Sequence, residues 1–320
     1  MRCMRAVYAS TIDVDDPLAA LRVGELPEPD LPASDWAVVE VRASSLNHHD
    51  LWSLRGVGLP ADRLPMILGC DAAGVDAAGN DVVVYPVVPD PADPRGMSIL
   101  SERYPGTFAD RVAVPRSHLV PKPAGLSFAE AACLPTAWLT AYRMLTTRGR
   151  LDQAGSVLVQ GAGGGVATAA VVIAVALGKR VYATSRDPAK RERVAALGAT
   201  ALAPGARLPE RVDVVIETVG AATFDHSLKS AAPGARIVVS GATSGHLPAV
   251  DLRRVFAMQL EILGTSMGTA DELRGLLQLC DTHGIRPVVD TVYGFGEAPA
   301  AFARLHSGDA FGKLVLDHQR

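Results

Sequence analysis

Cysteine is scarce in this chain, and the few present do not cluster. Its 320 residues hold four, Cys3, Cys70, Cys133 and Cys280, and no two form a C-x-x-C pair. That spacing excludes a disulfide framework and a cysteine-built structural zinc lobe, and leaves free thiols. No basic tract is present and the net charge is −3, so a nucleic-acid surface has no support. The apolar runs contain glycine or fall short of a bilayer span, and Met1 to Ala6 lacks the apolar core of a signal peptide. No internal repeat or low-complexity tract is visible. A cytoplasmic protein without a membrane or nucleic-acid partner is expected.

What is there is a globular composition, 48% hydrophobic and 20% charged, on a chain too long for one ordinary domain. The most informative stretch is 156–177. The apolar run Val157 to Val159 reads as a buried strand, Gly161 to Gly165 as a tight turn, and Val166 to Leu177 as an apolar helix stopped by Gly178. Strand, glycine turn and helix together place a helix N-terminus under a dinucleotide pyrophosphate. The literal G-x-G-x-x-G spacing is not met; the better register is Ala162-x-Gly164-x-x-Ala167, with alanine at the outer positions.

Strand and helix patterns alternate from there. Arg180–Thr184 reads as a strand and Pro188–Leu197 as a helix, with Asp187 as N-cap and Gly198 as stop. Val212–Ile216, Arg236–Val239 and Glu261–Leu263 read as further strands, and the alternation predicts a parallel, doubly wound sheet. Before residue 120 the pattern is short strands, including Trp36–Arg42, Asp81–Tyr85 and Gly106–Val114, then a helical stretch from Ser127 through Leu145. A loop with Pro86, Pro89, Pro91 and Pro94 reads as irregular. The end reads as helix Thr269–Leu279, then strand Val288–Tyr293, helix Glu297–Leu305 and strand Lys313–Leu316.

Several ordered segments resemble the medium-chain dehydrogenase/reductase superfamily, in its zinc-free, quinone-oxidoreductase-like branch. They are Ser45–Gly56 (SLNHHDLWSLRG), Leu68–Gly74 (LGCDAAG), Leu134–Tyr142 (LPTAWLTAY), the glycine turn, Ala196–Ala199 (ALGA) and Gly312–Leu316 (GKLVL). The resemblance implies an α/β fold, a Rossmann doubly wound parallel sheet inserted in a GroES-like, mainly-β catalytic domain. The expected division is 1–124 catalytic, 125–265 Rossmann and 266–320 catalytic again. Zinc-binding relatives hold catalytic zinc at positions that here carry Asn47, Cys70 and Thr136, and only Cys70 suits the metal, so none is expected.

The same resemblance assigns the cofactor site. The turn Ala162, Gly163, Gly164, Gly165 and Val166 faces the pyrophosphate, with His48 meeting it as well. Thr218 and Val219 line the ribose, Ser240, Gly241 and Ala242 lie beside the nicotinamide, and Thr140 approaches it. Ser185 stands where NAD-binding relatives carry an acidic residue. A carboxylate would repel a 2′-phosphate, whereas Ser185, Arg186 and Lys190 can bond or balance one, so NADPH is expected. Arg186 and Lys190 also read as ordinary solvated charges.

For the reacting pocket the resemblance implies His49 as proton donor, Asn47 as a further hydrogen-bond donor, Trp52 against the substrate and Val88 on the far wall. His49 also reads as a polar residue paired within the fold, Trp52 as core packing, and Asp50 as a structural residue bonding the backbone of this segment. The expected activity is NADPH-dependent, zinc-independent reduction of an activated double bond, an enone or quinone, in a small hydrophobic electrophile. A zinc-free carbonyl reductase and a non-catalytic NADPH-binding protein are the alternatives. The resemblance implies a homodimer paired through the last Rossmann strand, here Leu260–Gly264, which is short and apolar.

Overall fold

Runs rich in valine and alternating between core and solvent build most of the first part of the chain in the computed structural model, which describes residues 2–320. The chain divides into two units: residues 2–136, 269–281 and 289–320, and residues 137–268 with 282–288.

In the first unit Trp36–Ser45 is the central strand. It pairs antiparallel with Asp71–Asp76 along one side and with Arg111–Pro115 and Lys313–Asp317 on the other. Asp81–Val84 and Leu119–Pro121 extend the sheet one way, and Val289–Gly294, parallel to Lys313–Asp317, extends it the other. A smaller sheet joins Leu21–Pro27, Cys3–Ala9 and Met66–Ile67. Leu51, Leu54, Leu68, Phe108, Phe302 and Leu316 share one buried cluster in this unit. Burying side chains of this size stabilises the fold by on the order of 2 kcal/mol each.

Two readings need correction here. The proline-rich stretch is partly regular: Val87–Pro89 and Met97–Ile99 form a hairpin. The prolines stand at its margins, Pro86 before the first strand, Pro89 at its end, Pro91 and Pro94 in the turn, where no ladder donor is needed. The strand expected from Gly106 begins only at Arg111. Gly106 instead passes so close to Leu68 that a Cβ there would lie 2.3 Å from the Leu68 carbonyl oxygen. The stretch after Ser127 is helical as expected, with wider π turns at Leu134–Trp138 and Met144–Arg148.

The second unit is a six-stranded parallel sheet: β1 (Ser156–Val159), β2 (Arg180–Thr184), β3 (Thr200–Leu202), β4 (Val212–Glu217), β5 (Ala231–Val239) and β6 (Glu261–Gly264). The order β3-β2-β1-β4-β5-β6 reverses beside β1, the topological switch point of a Rossmann sheet. Helix α1 (Gly165–Ala176) follows β1, and α2 (Pro188–Ala196) follows β2. Asp187 caps α2 through the Ala189 N–H at 2.8 Å, with Pro188 in its first turn. The doubly wound α/β architecture is as expected. Among the described residues no helix is long and apolar enough to cross a membrane.

Candidate active site and cofactor cradle

The glycine turn owes its shape to backbone conformations other residues resist. Gly161 has φ +69° and Gly163 φ +142°, and Gly164 is the N-cap of α1. A Cβ on Gly161 would lie 2.3 Å from Val219 Cγ2, whereas one on Gly164 would meet nothing within 4 Å. The first amides of α1 have no intrahelical partner, as at any helix start. The structure therefore presents a cradle that fits a pyrophosphate. Ala162 is buried, its N–H donating to Thr184 O at 2.7 Å, which ties the turn to the end of β2.

Two side chains absent from the sequence reading brace this end of the sheet. Glu217 is wholly buried at the end of β4. Its carboxylate accepts from Val219 N (2.9 Å), Gly220 N (3.0 Å), Thr223 Oγ1 (2.8 Å) and Ser227 Oγ (2.6 Å), which fixes the Thr218–Gly220 loop. Gln160, just before the turn, accepts from Thr184 Oγ1 at 2.6 Å and donates to Ser227 Oγ at 3.0 Å. The next loop is tied on in turn. Ser240 N donates to Glu217 O, Gly241 lies so near Thr218 that a Cβ would be 3.0 Å from its carbonyl oxygen, and Ala242 packs by Gly220. Thr140 is buried against Met267, with Oγ1 4.0 Å from Sδ.

At the end of β2, Ser185 is buried and Arg186 exposed. Asp187 Oδ1 accepts the Ala189 N–H that caps α2. Lys190 lies across the glycine turn, its Cδ 3.0 Å from where a Gly163 Cβ would be. Arg191, also absent from the sequence reading, donates through Nη1 to Ser185 O (2.8 Å) and Arg186 O (3.0 Å). Cations thus gather at β2 and at the turn.

In the first unit the segment Asn47–Leu54 is a capped helical turn. Asp50 Oδ2 accepts from Asn47 N at 2.7 Å, so Asp50 holds the backbone as expected. The Asn47 amide is fully engaged: Nδ2 donates to Asp71 Oδ2 at 2.8 Å, and Oδ1 accepts from Lys313 Nζ at 2.6 Å. Lys313, itself buried, also reaches Leu46 O (2.7 Å) and Asp71 Oδ2 (3.2 Å). Asn47 therefore orders this segment, and the expected role as a donor to substrate does not suit an amide with both ends engaged.

His49 is brought between two residues distant in sequence. Nδ1 lies 3.3 Å from Cys70 Sγ, and Nε2 lies 3.2 Å from Glu102 Oε1. Burial opposes charge on the ring, but the neighbouring Cys70 and the hydrogen bond with Glu102 hold His49 well above the ordinary histidine value. Burial pushes the Cys70 thiol up, so of the two partners that raise His49 the Glu102 carboxylate is the one ionised in its own right. Burial also disfavours the Glu102 anion, yet its bonds to His49, Arg95 and the Ile99 amide outweigh this and bring it down to about 2. Trp52 is 40% exposed, not core packing. His48 is exposed. Val88 is buried in a cluster with Trp36, Val41 and Leu100, so it packs the core instead of lining a pocket wall.

With this geometry in hand, comparison with known proteins gives the family. Residues 33–124 match the alcohol dehydrogenase GroES-like domain, and residues 189–316 match the zinc-binding dehydrogenase family. A solved NAD-dependent alcohol dehydrogenase is 33% identical, with 98% of this chain and 99% of that one covered and a TM-score of 0.88. The acryloyl-coenzyme A reductase of Sulfurisphaera tokodaii is 26% identical over 95% of this chain and 98% of its own length. The 2-octenoyl-CoA carboxylase reductase CinF, solved with NADP and 2-octenoyl-CoA, is 25% identical. The match covers 98% of this chain and 87% of CinF, with a TM-score of 0.89. The chain belongs to the medium-chain dehydrogenase/reductase superfamily and is an NAD(P)-dependent oxidoreductase.

That family name raises zinc. At the expected ligand positions Asn47 is engaged through its amide, and Thr136 offers only a hydroxyl. His49, Asp50 and Cys70 do lie together, with donor atoms within 4.8 Å of one another. Yet Asp50 and Cys70 are fully buried, and both His49 nitrogens have partners. Catalytic zinc needs three ligands and an open coordination position, and of the three expected positions only Cys70 supplies such a ligand.

Proposed function

We propose that this protein is an NADPH-dependent, zinc-independent reductase of an activated carbon–carbon double bond, an enone or quinone, in a small hydrophobic substrate. The observation that carries this reading is His49. Its imidazolium is held by Glu102 at one nitrogen, and its other nitrogen meets only a thiol, a weak partner easily given up. NADPH, when bound, supplies a hydride. The glycine turn and the amides of α1 hold its pyrophosphate, and Ser185, Arg186 and Lys190 select the 2′-phosphate. His49 donates its Nδ1 proton to the enolate or phenolate that hydride addition leaves, and the ring becomes neutral. Trp52 offers its exposed indole to the substrate. The relatives named for acryloyl-CoA and 2-octenoyl-CoA reduction favour this reading, since both names specify conjugated thioesters.

A second reading, reduction of a carbonyl, is favoured by the likeness to an alcohol dehydrogenase. NADPH oxidation against enones, quinones, enoyl thioesters and ketones separates the two. The first gives a saturated carbonyl or a hydroquinone, the second an alcohol. Turnover confined to ketones would overturn the leading proposal.

The molecule is further proposed to be a homodimer. Strand β6 ends its sheet, Ile262 on it is exposed, and Leu252 and Phe256 just before it are 71% exposed. Light scattering at micromolar concentration should give the dimer mass, and a single monomer peak would refute it.

A further inference from the structure

The geometry points to Glu102 as a positioning residue for His49, one that fixes which imidazole nitrogen carries the transferable proton. This rests on the reading of His49 as the acid. Glu102 lies 53 positions from His49, is buried, and is delivered by a tight turn in which Ser101 takes φ +72°. A serine in the left-handed region is uncommon, and such strain gathers where a side chain must be aimed.

The carboxylate is clamped on every side the structure shows. Oε2 accepts from Arg95 Nη2 at 2.8 Å and from Ile99 N at 3.0 Å. On the other side the turn at Gly58, with φ +78°, runs so close that a Cβ would lie 2.9 Å from Glu102 Oε1. Arg95 is itself braced by Asp93, through Nε (2.9 Å) and Nη2 (2.9 Å). Oε2 is thus satisfied by Arg95 Nη2 and the backbone, while Oε1, with Arg95 Nη1 at 3.5 Å, is directed at His49 Nε2 at 3.2 Å.

A carboxylate on Nε2 has two effects. It requires a proton at Nε2, so any second proton resides on Nδ1, the nitrogen opposed only by the Cys70 thiol. It also favours the doubly protonated ring, as a charge-assisted bond does. The other groups facing His49 are Cys70 and Asp50; Arg95 acts on it through Glu102. An ion pair serving only to staple the 90–102 loop would be complete with Arg95 and Ile99.

The test is Glu102→Gln, which keeps the size and an oxygen acceptor but removes the charge. The alkaline limb of turnover should move down by about one pH unit, with the KM for NADPH unchanged. The His49 imidazole, followed by NMR, should titrate lower by the same amount. In a His49→Ala background E102Q should change turnover no further, because its effect runs through the ring. Glu102→Asp, which keeps the charge, should restore part of the shift, and it carries the NMR test if E102Q does not fold. An unchanged limb with unchanged imidazole titration overturns the assignment, as does an equal turnover loss from E102Q with and without His49. If His49→Ala alone keeps full turnover, the reading of His49 as acid fails. The imidazole titration then still decides whether Glu102 holds the ring.

Discussion

The cofactor cradle and the His49 centre, one in each unit, are built from opposite materials. The cofactor cradle in the second unit is backbone: amides, left-handed glycines and the space left where side chains are absent. The His49 centre in the first unit is side chain: a thiol, an imidazole, a carboxylate and a guanidinium, each touching the next. A cradle of that kind is damaged by adding atoms and a relay of that kind by removing charge, so each half has its own characteristic lesion.

The largest effect should come from filling the cradle. Gly161→Ala places a Cβ 2.3 Å from Val219 Cγ2 at φ +69°. Left-handed strain and overpacking together cost about 2–4 kcal/mol at the turn, and NADPH affinity by fluorescence titration should fall about 100-fold. Gly178→Ala is the control, since φ is +70° there and a Cβ meets nothing within 4 Å. It should lower stability by about 1 kcal/mol and leave NADPH binding intact. Equal losses of affinity would mean that the turn acts through fold stability alone.

Next comes loss of the ring. His49→Ala should reduce turnover by about 100-fold, the usual range for general acid catalysis, with little change in NADPH affinity. His48→Ala should do the reverse. The pH dependence has a defined sign. A raised value in the folded protein means the ring is fully protonated below the ordinary 6.5 and loses its proton only as pH rises through the raised value. Turnover should therefore persist through neutrality and fall on the alkaline side; a fall centred below pH 6.5 would contradict the geometry.

Arg186→Ala should raise the KM for NADPH about tenfold, as loss of a charge-assisted pair implies, and leave the KM for NADH unmoved. A parallel rise for both nucleotides would place Arg186 outside the 2′-phosphate site. Smallest of all is metal removal. Dialysis against a chelator should change turnover by less than about twofold if proton delivery rests on His49, and a loss that added zinc restores would show a metal at work.

The same contrast explains what could be read without coordinates. The glycine turn and helix α2 are local: Asp187, Pro188 and Gly198 announce one helix within a dozen residues, and the fold follows from the alternation. The His49 centre is not local. Nothing near His49 in sequence points to Glu102, and nothing near Gln160 points to Ser227, 67 positions away. Val88 was misplaced for the complementary reason, since an apolar residue beside a proline-rich stretch carries no mark of whether it faces a pocket or the core. Glu217 has such a mark, an acidic residue ending an apolar strand just before Thr218-Val219-Gly220. Buried carboxylates that cap a loop through its amides are a pattern worth seeking.

Lys313 has a bearing on how the molecule is made. Its ammonium group closes the segment around Asn47, 266 positions earlier, and its strand lies between Trp36–Ser45 and Val289–Gly294 in the finished sheet. At ribosomal speeds of about 5–20 residues per second, the early strands wait roughly fifteen to fifty seconds for that partner. Throughout the interval Asp71 and Asn47 lack the cation that balances them, and the Ala43–Ser45 end of the central strand stands open. The second unit, continuous from residue 137 to 268 apart from one short later segment, has no such delay for its sheet. On the nascent chain the sheet that bears the cofactor cradle is complete before the strand that carries Lys313 is made.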